Sequence, residues 1–353
     1  MIKVLIVEDS PVAREFLTYI LTSDPAIQVV GTVSNGAEAL EAVRQKKPDV
    51  IIMDIHMPMM DGFKVTRRIM ETFPTPVVIV SGNLEGKEIA FTFHAIEAGA
   101  LAVVRRPLGN KHQEFEAASK ELIQTVKLMS EIKVVRRISG ATKARIITQP
   151  TISMPLHITT EIQAVAIGAS TGGPLVLQQI LSGLPPDFPV PILIVQHIAP
   201  GFVEGFAEWL SGASHFPVSV ASHAERIVAG HGYVAPDGFH LGLESGLKIA
   251  LSGLAPENGL RPSVSHLFRS IAQVLGPDAV GVLLTGMGRD GAEELKTLKE
   301  RGATTIAQDE ASSVVFGMPG EAIRLDAATY VLSSATIAAT LVALVKNTKG
   351  KPQ

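Results

Sequence analysis

The 353-residue chain contains no cysteine. That excludes disulfides, thiolate metal sites and a cysteine nucleophile together. Covalent chemistry would fall to serine, lysine, aspartate or a bound metal. Charge is also scarce: charged residues make up 18% and the formal net charge is −3. A dedicated nucleic-acid binder would be basic, so that class is disfavoured. Long apolar runs are missing as well, although mean hydropathy is +0.29. The longest, such as 192–195 and 280–284, are strand-sized, and 335–345 is broken by Thr336 and Thr340. A membrane span needs roughly 20 apolar residues. The first ten residues hold two acids and no leader pattern. These absences predict a cytoplasmic protein that neither enters a membrane nor binds nucleic acid. What the chain does have is apolar material, 46% of its residues. That is enough for real cores, and the length suggests two domains.

Short Val/Ile/Leu runs alternate with longer amphipathic stretches, the pattern of βα units around a parallel sheet. Runs at 4–7, 27–33, 50–53, 77–80 and 101–104 make a first domain, 1–130. From 131 to 160 the texture changes: no acid stands between Ile132 and Thr160, and Lys133, Arg136, Arg137, Lys143 and Arg145 make the stretch basic. It reads as a linker, entered by a helix that continues to about Ile138. Further runs at 164–167, 190–195, 218–220, 232–234, 280–284 and 304–307 make a second α/β domain, 161–346. A short tail, 347–353, follows. Residues 233–251 look like a hairpin around the Pro236-Asp237-Gly238 turn. The expected fold is α/β, two doubly wound parallel-sheet domains joined by a basic linker.

Open parallel sheets bind ligands beyond the carboxyl ends of their strands. In the first domain those ends carry Glu8 and Asp9, then Asp54, then Ser81, then Arg105 and Arg106. Three carboxylates on one rim call for a cation, and Mg²⁺ suits oxygen ligands. Each residue alone reads as a turn or a helix cap; the ordered set does not. The segments 4–10 and 54–62, with Ser81 and Arg106-Pro107, resemble a response-regulator receiver domain of flavodoxin-like fold. The resemblance implies that a histidine kinase phosphorylates Asp54. It also implies Mg²⁺ held by Glu8, Asp9 and Asp54, with Ser81 and Arg106 following the phosphoryl group. The family has Lys where this chain has Arg106, and an aromatic where it has Val103.

In the second domain one run leads into Gly168-Ala169-Ser170-Thr171-Gly172-Gly173-Pro174, the next into Gln196-His197, and a later one into Thr285-Gly286-Met287-Gly288-Arg289-Asp290-Gly291. A parallel sheet would bring Ser170, His197 and Asp290 to one rim as nucleophile, base and orienting carboxylate. Gly168-x-Ser170-x-Gly172 has the spacing of a nucleophile elbow, and Pro174 suits the first turn of a helix. That helix start would aim N–H groups at an oxyanion. Taken singly, Ser170 and Asp290 read equally as helix caps, and the glycines as a dinucleotide turn. Around Ser170 the glycines do not match Gly-x-Gly-x-x-Gly, however, and no His-x-x-x-His spacing points to a metallohydrolase.

These segments, with 235–240, 261–264 and 307–319, resemble the catalytic domain of the chemotaxis protein-glutamate methylesterases, a Rossmann-like domain. The resemblance implies a serine esterase acting on glutamyl methyl esters of chemoreceptors and deamidating receptor glutamines. It is expected to work as a monomer and without an organic cofactor. It implies the triad Ser170, His197 and Asp290, with backbone donors at Thr171 and Met287. It further implies a receiver that restrains the esterase until Asp54 is phosphorylated. The chain departs from the family after His197, at Val203 and Glu204, and at Ser265, where Asp is common. The alternative reading is a phosphorylation-controlled, non-catalytic receptor-binding adaptor.

Overall fold

The computed structural model describes residues 1–55, 57, 61–82, 86–107, 109, 115–132, 134 and 161–347, with only the backbone for 86–91 and 347. The expected linker, beyond 131, 132 and 134, and the tail beyond 347 lie outside the described residues. The chain divides into two compact units, residues 1–150 and 151–353. Among the described residues no helix is long and apolar enough to cross a membrane.

In the first unit, β1 (Ile2–Val7), β2 (Ile27–Val33), β3 (Val50–Met53), β4 (Val77–Ser81) and β5 (Ala102–Arg105) form one parallel sheet. Its order is β2-β1-β3-β4-β5. Strands β3 and β4 are buried throughout, which is why they are written almost wholly in Val, Ile and Met. Between strands run α1 (Pro11–Thr22), α2 (Gly36–Lys46), α3 (Gly62–Thr72) and α4 (Gly86–Ala98), and α5 (Phe115–Ser130) closes the unit. Ser10, Asn35 and Asp61 start the first three helices by accepting backbone N–H groups of the opening turn. Helix α1 packs on α5, whereas α3 lies between α2 and α4. Helix α5 stops at Ser130, short of the expected Ile138. There the Ser130 hydroxyl donates to the Lys127 carbonyl at 2.6 Å, and the Glu131 and Ile132 amides close tight turns onto Leu128 and Met129.

In the second unit a seven-stranded parallel sheet has the order β14-β13-β12-β6-β7-β9-β8. Its strands are β6 (Ala164–Ala169), β7 (Ile192–Gln196), β8 (Val218–Val220), β9 (Gly232–Val234), β12 (Ala279–Leu283), β13 (Thr304–Gln308) and β14 (Tyr330–Leu332). The edge strand β14 was not among the expected runs; at three half-exposed residues it leaves little apolar signal. The helices are α6 (Gly173–Ser182), α7 (Val203–Ser214), α8 (Val264–Val274), α9 (Ala292–Glu300), α10 (Met318–Arg324) and α11 (Ser334–Asn347). The chain leaves β6 toward β7 on one side and returns to β12 on the other, so the sheet's switch point lies between β6 and β12.

The expected hairpin exists but turns elsewhere. It pairs β10 (His240–Glu244) with β11 (Lys248–Ser252) around residues 245–247. Gly246 and Leu247 take the positive φ angles of that turn. Pro236-Asp237-Gly238 instead connects β9 to β10, and Asp237 accepts the Gly201 amide at 2.6 Å. Strand β9 is unavailable for a hairpin because it runs parallel between β7 and β8. Helix α8 packs its buried Leu267, Phe268 and Ile271 into the core beneath this hairpin.

Candidate active site and acid pocket

Strand register brings the expected residues of the second unit together. Ala169 pairs with Gln196, so the next residues, Ser170 and His197, leave adjacent strands side by side. The His197 amide donates to the Ala169 carbonyl at 2.9 Å. Ser170 is not the cap of α6, which starts from Gly172 without a side-chain bond. Gly172 has φ 79°, and a Cβ there would stand 2.6 Å from Val314 Cβ. The sharp turn therefore needs glycine.

Asp290 is buried, and α9 likewise takes no side-chain cap from it. Its Oδ2 lies 2.9 Å from His197 Nε2. Its remaining lone pairs accept the Ser263 hydroxyl at 2.8 Å, the Val264 amide at 2.7 Å and the Ser265 amide at 3.1 Å. Burial pushes the Asp290 carboxyl up, but His197, Ser265 and Val264 together outweigh it and hold it at about 2. An ionised carboxylate only accepts, so His197 Nε2 carries the proton and Nδ1 is left with the lone pair. Among the described residues no hydrogen bond joins Ser170 Oγ to His197; such bonds commonly close only around substrate.

The expected oxyanion donors flank the same rim. Ser170 N donates to the Thr285 carbonyl, tying the 285–291 loop beside the elbow. Thr285 Oγ1 donates to the Thr171 carbonyl at 2.9 Å and fixes the loop from the other side. Gly317 packs against Gly286 so closely that a Cβ would lie 2.7 Å from its carbonyl oxygen. The Met287 side chain is 52% exposed, so the rim beside it is open.

Two contributions escaped the sequence reading. The Arg-Pro-Ser-Val segment supplies the cage around Asp290, and Ser265, where the family commonly has Asp, belongs to it; its hydroxyl also accepts the Gly291 amide at 3.0 Å. Gln196 is the second. Its Nε2 donates to the Ser170 and His197 carbonyls, both at 2.8 Å, bracing nucleophile against base. The departure at Val203 is a buried residue opening α7.

In the first unit Glu8, Asp9 and Asp54 each offer a ligand oxygen, all within 4.8 Å of one another. They follow β1 and β3, at that sheet's switch point. Gly62 lets α3 begin against the Asp54 carbonyl, which a Cβ would approach to 2.2 Å. Burial and then the Asp54 charge raise the Glu8 carboxyl to about 7, against the pull of Arg106. Arg106 Nη2 reaches Glu8 at 2.6 Å and Asp54 at 3.2 Å. Ser81 is buried at the end of β4, paired with Arg105. An all-oxygen donor set under one cation fits Mg²⁺. His56 and 58–60 of the adjoining motif lie outside the described residues.

The description "CheB methylesterase" matches residues 165–341, and "Response regulator receiver domain" matches residues 4–117. A Geobacter metallireducens protein-glutamate methylesterase/protein-glutamine glutaminase is 53% identical over 345 residues, covering 98% of this chain and 99% of that protein. The chain belongs to the CheB methylesterase family. A relative from Syntrophus aciditrophicus, with the same enzyme name, is 55% identical over 98% of both chains. The Thermotoga maritima CheB methylesterase catalytic domain superposes with a TM-score of 0.51 at 39% identity, covering 53% of this chain and all of that one. The family is one of enzymes by name, which gives the adaptor reading no support.

Proposed function

We propose that the chain is a cytoplasmic, monomeric serine esterase, activated by phosphorylation. It hydrolyses glutamyl methyl esters on chemoreceptors to glutamate and methanol, and deamidates receptor glutamines. One observation carries the chemistry: His197, bonded through Nε2 to a caged Asp290, stands beside Ser170 at neighbouring strand ends.

The steps follow from that arrangement. Ser170 Oγ attacks the ester carbonyl carbon while His197 Nδ1 takes its proton. Asp290 holds the imidazole's orientation and stabilises its charged form. The backbone N–H groups of Thr171 and Met287 receive the oxyanion, and one such donor is worth roughly 10²–10³ in turnover. The bond to the methoxy oxygen breaks as His197 returns the proton, and methanol leaves. Water, activated by the same nitrogen, then cleaves the acyl-serine to free glutamate. With an amide substrate the leaving group is ammonia.

Asp54 receives the phosphoryl group from a histidine kinase. Glu8, Asp9 and Asp54 would hold Mg²⁺, whose charge offsets that of the transferring phosphoryl oxygens. Ser81 and Arg106 then meet the new acceptor oxygens. Asp54→Asn is the test of this half. The variant should keep its basal methanol release and lose the increase caused by a small phosphodonor with Mg²⁺. An unchanged increase would remove Asp54 from the switch.

A further inference from the structure

A second convergence of ligand-type side chains lies outside the Ser170 rim. His240, Glu257 and His266 each offer a ligand atom, and these atoms lie within 4.8 Å of one another. They come from the first residue of β10, the turn closed by the Glu257–Leu260 bridge, and the first turn of α8. The three stand far apart in sequence, so no local spacing announces them.

His240 carries the decisive feature. Its ring is fully buried. Nε2 lies 3.1 Å from the Ala255 carbonyl, which can only accept, so Nε2 bears the proton. Nδ1 therefore holds a lone pair, and this buried atom has no partner among the described residues. A buried acceptor left unmet is a standing cost that a bound ion would remove.

The other two groups are already set at ligand spacing. His266 Nδ1 donates to Glu257 Oε1 at 3.2 Å, a hydrogen bond that an ion between them would replace. With bonds of about 2.0–2.2 Å from Zn²⁺ to nitrogen or oxygen, neighbouring ligands of a tetrahedral ion stand roughly 3.3–3.5 Å apart. Arg269 donates to the Glu257 carboxylate and fixes its orientation, as outer partners of metal ligands do. The other arm of Arg269 meets Glu294 at 3.3 Å, so neutral imidazoles leave the cluster with one net negative charge. The His240 and His266 rings stack at 4.7 Å and 17°. Coordination asks that the partly buried His266 turn toward its buried neighbour and that its Nδ1 proton leave as the ion binds.

We propose that His240, Glu257 and His266 bind a divalent transition-metal ion of the zinc type, with solvent in the fourth position. Two imidazoles and a carboxylate select such an ion over Mg²⁺ or Ca²⁺. The ion is a brace rather than a reactant. It ties β10 and the 257–260 turn to α8, whose start holds Asp290 through Ser263, Val264 and Ser265.

The test is a Co²⁺ titration of the metal-stripped full chain, with millimolar Mg²⁺ present to occupy the receiver carboxylates. The wild type should develop the intense visible absorption of tetrahedral Co²⁺, saturating near one equivalent and bleached by Zn²⁺. His266→Gln and Glu257→Gln replace half-buried groups, and circular dichroism reports whether each remains folded. Both should bind Co²⁺ at least roughly tenfold more weakly, since loss of even an outer partner of a metal ligand costs about that much. No tetrahedral band in the wild type would overturn the site. So would an undiminished band in both variants.

Discussion

Asp290 and Ser263 are joined by a 2.8 Å hydrogen bond, hydroxyl to carboxylate, on the side of the carboxylate away from His197. The orienting acid is thus held by a segment 27 positions upstream, and not only by its own glycine-rich loop. A hydrogen bond to a charged group is worth about 1.5–3 kcal/mol. Ser263→Ala should therefore lower kcat by roughly tenfold or more with little change in KM, because the Val264 and Ser265 amides still hold the carboxylate. Steady-state methanol release reads this directly. An unaltered kcat would show that the cage does not position His197.

The depressed Asp290 carboxyl sets a pH window. Its folded value of about 2 lies below the ordinary carboxylate value, so the unfolded chain binds the proton more readily. The resulting stabilisation is fully present above about pH 4 and fades as pH falls toward 2, on the order of 2 kcal/mol in all. Trp209, the single tryptophan, is buried in α7 of the same unit and reports its unfolding. Denaturation followed by its fluorescence should find wild type more stable than Asp290→Asn at pH 6, with the gap closing near pH 2. A gap independent of pH would contradict the assignment.

Gln196 is expected to act through position rather than contact with substrate. Removing its two bonds, to the Ser170 and His197 carbonyls, should lower turnover by roughly 10- to 30-fold in Gln196→Ala, at about 1 kcal/mol per bond. Gly173→Ala should do similar harm by another route, since its methyl would fall 2.2 Å from Gln196 Oε1. Pre-steady-state acylation rates separate these effects from product release. Wild-type acylation in both variants would dismiss the brace.

Arg106 occupies the pocket that the divalent ion would enter, 2.6 Å from Glu8 and 3.2 Å from Asp54. Its guanidinium and a divalent cation repel each other there. Arg106→Gln should bind Mg²⁺ about tenfold more tightly by calorimetry, as removal of a nearby like charge predicts. Its response to phosphodonor should fall, because a cation facing the phosphoryl group is lost. Weaker Mg²⁺ binding in the variant would reverse this reading of Arg106.

The two sheets are legible in the residues because parallel strands covered on both faces must be apolar throughout, as β3, β4 and β7 are. Function sits where those runs stop, so Asp54, Ser170 and His197 are each found one residue past a strand. Asp290 is harder to place, since it stands seven residues past the end of β12, and only the glycines around it hint at a turn. Its cage is not legible: Ser263 and Ser265 open α8, and nothing local to them names Asp290 as partner. The hairpin turns elsewhere than its sequence suggests for a related reason. Pro236-Asp237-Gly238 has turn chemistry, but β9 had already been claimed by the parallel sheet. His240, Glu257 and His266 meet only through the packing of α8 against β10.

Methanol release from methylated receptor membranes tests the central claim most directly, with wild type and Ser170→Ala compared, each with and without a small phosphodonor and Mg²⁺. Loss of the serine in a comparable triad costs on the order of 10⁶ in turnover. Release should therefore vanish in Ser170→Ala and, in the wild type, rise with the phosphodonor. Release that persists in Ser170→Ala would contradict the account.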